Sequence, residues 1–231
     1  MIFFASCSKS PEKQTTDYSL QAQVAGQLVS GNERGNGGDA IVCLQGFEFG
    51  GLGTTQTLDY YQAIISRETF VFFGGPGETE PGKISDDVFK KARLLISRIE
   101  PFDPIRAKKY RQWLSTFASE STINRTTSLI DIHDEGLIED YPGCFLLQIA
   151  KQNPDPQSGS ARYSIDGRLW DRLDADNQAT LLIHEIIYRD AIALGQQSSA
   201  QVRKLVAKLM DPDFSKSSRA NYVTLMNQLG L

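Results

Sequence analysis

The stretch that decides how this chain reads is Leu181-Leu182-Ile183-His184-Glu185-Ile186-Ile187-Tyr188-Arg189. Only His184, Glu185 and Arg189 interrupt a run that is otherwise apolar or aromatic. A helix that is apolar nearly all round is a helix buried in its domain. Asp174 offers an N-cap before the run and Gly195 a C-cap after it, so the pattern predicts a long central helix over residues 175–194. At 100° per residue, His184 and Tyr188 share a face. Glu185 and Arg189 stand one turn apart, a spacing suited to an ion pair. Burying a charge without a partner is costly, so these four side chains must pair inside the domain or line a cleft.

The His-Glu pair opens like the zinc-peptidase motif H-E-x-x-H, but Tyr188 stands where the second His belongs. Three readings compete. In the first, His184 holds zinc together with His133, the other His of the chain, and a carboxylate such as Glu185 or Asp134. In the second, His184 and Glu185 do metal-free acid-base chemistry, with Tyr188 assisting and Arg189 holding an anion. No Gly-x-Ser-x-Gly stretch supplies a nucleophile for it. In the third, Glu185 pairs with Arg189 inside the domain, while His184 and Tyr188 bond loop carbonyls. The structural reading carries the most weight. It requires no cofactor; zinc enters only with the first reading.

The 231 residues are 40% apolar and 23% charged, a balance that supports a packed core. Net charge is -4, and no basic stripe is visible, which argues against nucleic acid as a partner. No apolar run approaches the ~20 residues that span a bilayer.

Along the chain, residues 40–44 read as a strand entered through the turn Gly35-Asn36-Gly37-Gly38-Asp39. Helical spacing marks residues 55–66. Ser85 caps a helix to about residue 99 with a stripe of Val88, Phe89, Ala92, Leu95, Ile96 and Ile99. A basic amphipathic helix follows over 105–117, its Arg106, Lys108, Lys109 and Arg111 forming a solvated face or, on a sharper reading, meeting anionic lipid or cell-wall polymer. Residues 127–132, 143–150 and 162–165 read as strands and Asp166-Gly167 as a turn. Two more helices occupy about 198–210 and 217–228, separated by Asp211-Pro212. Strands and helices do not alternate, so the expected class is α+β: mostly helical, with a few short strands in a small sheet around the central helix.

At the amino terminus, Phe4-Ala5-Ser6-Cys7 has the form of a lipobox, and the polar stretch 8–34 reads as a flexible tether. Residues 1–7 are then the end of a lipoprotein signal peptide and Cys7 is lipidated. Only six residues precede Cys7 and none is basic, so this reading needs a translation start further upstream. Residues 35–231 make one globular domain. Lipidation of Cys7 leaves Cys43 and Cys144, which pair as a disulfide in an oxidising compartment or stay as buried thiols. Closing so long a loop contributes ~4–5 kcal/mol in the chain-entropy model.

Three segments occur in order: Gly35-Asn36-Gly37-Gly38-Asp39-Ala40-Ile41-Val42-Cys43, Gly143-Cys144 through Gln148-Ile149-Ala150, and His184-Glu185-Ile186-Ile187-Tyr188-Arg189. Together they resemble uncharacterised exported proteins and lipoproteins of Gram-negative, Bdellovibrio-like bacteria. The resemblance implies export and a single domain, and treats Tyr188 as a feature of the group; it implies no activity. The expectation is a lipid-anchored envelope protein, facing the periplasm or cell surface, that binds an envelope protein or cell-wall polymer. The alternative is a hydrolase acting through His184 and Glu185 on peptide or cell-wall substrate.

Overall fold

The computed structural model describes residues 38–43, 55–65, 83–129, 144–157 and 159–231, which form two three-stranded sheets and a set of helices. All of these lie within one compact unit, Asn32–Leu231. In chain order the strands are β1 (Asp39–Cys43), β2 (Thr55–Thr57), β3 (Ser121–Asn124), β4 (Cys144–Gln148), β5 (Ala150–Gln152) and β6 (Tyr163–Asp166). The helices are α1 (Leu58–Ile65), α2 (Asp86–Ser97), α3 (Pro104–Thr116), α4 (Gly167–Trp170), α5 (Ala175–Ala193), α6 (Ala200–Met210) and α7 (Arg219–Leu229), with a 3₁₀ turn at Pro212–Lys216. The class is α+β and mostly helical, with its strands divided between two small sheets.

Local chemistry sets the helix ends. Ser85, Asp103, Asp174 and Ser218 each accept a hydrogen bond from a backbone N–H of the first turn, starting α2, α3, α5 and α7. Gly195, at φ 90°, follows the C-cap of α5 in the left-handed conformation that glycine adopts without strain. Helix α5 is buried over almost its whole length and packs most extensively against α2, through a core that includes Leu95, Ile96, Leu181 and Leu182.

The first sheet runs β2-β1-β4, both pairings antiparallel. The second runs β3-β6-β5, with β3 parallel and β5 antiparallel to β6. The stretch expected as one strand over 143–150 therefore serves both sheets. Ile149 is the crossing point. Its N–H donates to the Gly38 carbonyl at 3.0 Å in the first sheet, and its carbonyl accepts the Asp166 N–H at 2.9 Å in the second.

Elsewhere the pattern misleads. Residues 55–57 pair with β1 as a strand, and the helix begins only at Leu58; β-branched Thr55 and Thr57 favour the pleated conformation. Residues 127–129 form no strand, and 130–132 lie outside the described residues; the strand β3, upstream, escapes the sequence reading because it is polar. Asp166-Gly167 is no turn: the Asp166 carboxylate caps α4 by accepting the Arg168 and Leu169 N–H groups. The basic helix keeps a solvated face, with Lys108 exposed, but its other cations are paired. Arg106 and Lys109 reach Asp190 at 3.4 and 2.5 Å, and Arg111 pairs with Glu100. The tether, Cys7 and the segment carrying His133 and Asp134 lie outside the described residues.

Candidate functional site

Helix α5 presents one row of side chains, Asn177, Leu181, His184 and Glu185, to the first sheet and α1. Each polar member of the row holds a different segment. The Asn177 side-chain oxygen accepts the Thr57 N–H at 2.9 Å. His184 Nδ1 lies 2.8 Å from Asp59 Oδ1, on the first turn of α1. Glu185 Oε1 accepts the Gly38 N–H at 2.6 Å, and Oε2 accepts from the Gln152 amide at 2.8 Å. The same amide lies 2.5 Å from the Glu185 carbonyl oxygen. His184, Glu185 and Asp59 are all 0% exposed.

The position of Glu185 follows from the crossing at Ile149. The β1–β4 register, which pairs Asp39 with Gln148, continues to place Gly38 opposite Ile149. Opposed residues of a hydrogen-bonded pair exchange two bonds. Ile149 gives its N–H to Gly38, but its carbonyl is engaged by Asp166 of the second sheet. The Gly38 N–H turns instead to Glu185. A buried N–H left unpaired costs ~1–3 kcal/mol, so a carboxylate supplied by α5 completes the seam between the sheets. Gln152, on β5, brings the second sheet to the same carboxylate.

Gly38 must be glycine for this approach. A Cβ there falls 2.1 Å from Leu181 Cδ1 and 3.4 Å from Glu185 Oε1, and Leu181 is fully buried.

The electrostatics match a closed cluster. Burial opposes a charge on His184, but Asp59, through charge and hydrogen bond, and Glu185 outweigh it and hold the imidazole pKa above its ordinary value. Burial pushes the Glu185 pKa up; His184, the Gly38 N–H and Gln152 pull it back without cancelling the rise. Nearby, Arg203 on α6 stands 3.8 Å from Asp39, both almost fully buried.

The expected pair of Glu185 with Arg189 does not form. Arg189 leaves the core, bonds Glu120 at 2.9 Å and stacks over Trp113 at 4.5 Å from the ring centre. The Tyr188 hydroxyl lies 3.5 Å from the Gln197 carbonyl, the loop-carbonyl partner expected of it. Among the described residues no group of three or more His, Cys, Asp or Glu side chains is placed to hold a metal; His133 is not among them. Cys43 and Cys144 face each other in the β1–β4 register.

Sequence reasoning missed Asp59, Gln152 and Asn177. Asp59 had a signal: an acidic residue in the first turn of a helix flanked by apolar residues. Gln152 had none, because its partner is set by the sheet crossing. No family model matches this chain, and no curated protein or solved structure does.

Proposed function

We propose that this chain is a bacterial envelope lipoprotein, anchored at Cys7, whose folded part is a binding or structural module facing the periplasm or cell surface. The observation that supports a non-enzymatic role is the closure of the His184–Glu185 pair. Both carboxylate oxygens are taken by Gly38 and Gln152, and Nδ1 of the imidazole faces Asp59. A general base must reach the proton it abstracts, and neither His184 nor Glu185 has exposed surface.

The candidate place for a partner is a cavity of about 470 Å³ lined by Gln62 of α1, Gln201, Lys204 and Lys208 of α6, and Leu225, Gln228 and Leu229 of α7. Amides and two ammonium groups beside apolar side chains suit a glycan or peptide strand of cell-wall polymer; an envelope protein is the other candidate. One observation favours the hydrolase alternative: Asp59 orients His184 as a carboxylate orients a metal-binding or basic imidazole. Stoichiometric zinc that disappears in His184→Ala would support it.

The test is fractionation of cells expressing the full chain, with intact mass of the membrane-bound form and pelleting on insoluble cell-wall polymer. The expected result is a diacyl or triacyl adduct at Cys7 and pelleting that weakens several-fold in Lys204→Glu. An unmodified Cys7, or pelleting indifferent to Lys204, overturns the corresponding half.

A further inference from the structure

We propose that Cys43 and Cys144 are joined by an intramolecular disulfide that ties β1 to β4. The two residues are opposed in the antiparallel ladder. Opposed residues in such a ladder alternate between hydrogen-bonded pairs, with Cα atoms ~5.5 Å apart, and non-hydrogen-bonded pairs, ~4.5 Å apart. The Ile149 N–H bond to the Gly38 carbonyl marks Gly38 and Ile149 as a site of the first type. The register then runs without interruption from Asp39 and Gln148 to Cys43 and Cys144. Alternation along it makes Ala40 with Leu147 and Val42 with Phe145 hydrogen-bonded pairs. Ile41 with Leu146 and Cys43 with Cys144 are non-hydrogen-bonded. The cysteines thus occupy the closer kind of site, whose ~4.5 Å spacing falls inside the ~4.4–6.8 Å range that a disulfide spans.

The bond closes the loop from residue 43 to residue 144, which contains β2, α1, α2, α3 and β3. A closure of that length acts mainly by restricting the unfolded chain.

The chemistry is thiol–disulfide exchange with a disulfide oxidant, such as an envelope dithiol–disulfide carrier or oxidised glutathione. One cysteine thiolate attacks the oxidant and releases one of its sulfurs as thiolate. The second cysteine thiolate then displaces the other sulfur from the mixed disulfide. Two cysteine thiols are oxidised, one external disulfide is reduced to two thiols, and the two protons pass to them. The inference rests on strand register and stands independently of the anchor at Cys7.

The test is oxidation of the reduced, folded full chain with oxidised glutathione in the absence of denaturant, followed by alkylation and peptide mapping. The expected product is a single linked peptide pair carrying Cys43 and Cys144, lighter by two hydrogens and without alkyl groups at either residue. Its Tm rises by roughly 10 °C over the reduced chain. Cys43→Ser should leave glutathione held on Cys144 and remove the rise in Tm. Alkylation of both cysteines after oxidation, separate glutathione adducts on each, or a link from either one to Cys7 overturns the proposal.

Discussion

Glu185 and Arg189 stand one turn apart on the same helix and have opposite fates. Glu185 is sealed in the core, its two oxygens joined to Gly38 and Gln152 from two different sheets. Arg189 extends to the surface, where Glu120 and the Trp113 ring receive it. Helical spacing alone makes them partners; the surroundings decide otherwise. A partly exposed pair such as Arg189–Glu120 is worth ~0–1 kcal/mol. A buried carboxylate that completes two backbone and side-chain donors is worth several times more if removed.

The contrast can be broken from the buried side. His184→Ala leaves the Asp59 carboxylate in the core without its imidazole, and should cost ~3–5 kcal/mol in urea unfolding. A loss under 1 kcal/mol would mean that Asp59 finds solvent or another partner. Gly38→Ala drives a methyl into Leu181 and away from the geometry that serves Glu185. We expect a loss of about 1–3 kcal/mol, with faster hydrogen exchange at residue 38; an unchanged exchange rate would detach Gly38 from the clamp.

Acidity sharpens the contrast further. His184 and Glu185 both bind protons more tightly in the folded chain than in the unfolded one. Each therefore contributes stability that is full below its ordinary pKa and is lost as pH rises through its raised folded value. The other charged groups acting on them are Asp59 from α1 and Arg203 from α6. Stability should decline as pH climbs above about 6.5, the ordinary imidazole value, and His184→Ala should flatten that limb. A decline equally steep in the variant would place its origin elsewhere.

Most of the helical framework was legible in the sequence because it is written locally. Ser85 and Asp174 are caps read from neighbouring residues, and the apolar run around His184 declares its own burial. What escaped depends on distant partners. The strand β3 is polar and gains its identity only from β6. Residues 143–150 look like one strand because periodicity does not record that Ile149 bonds into two sheets. Half of the site was visible for the same reason: His184 and Glu185 stand out on an apolar helix, while Gln152 and Asp59 matter only through where the chain brings them.

The most direct measurement is a pair of double-mutant cycles on unfolding free energy, one joining Glu185 to Gln152 and one joining Glu185 to Arg189, each residue replaced by Ala. A sealed clamp at the seam of the two sheets predicts a coupling of about 1 kcal/mol or more for the first pair and less than about 0.5 kcal/mol for the second. Strong coupling to Arg189 with none to Gln152 would contradict it and restore an ion pair along the helix.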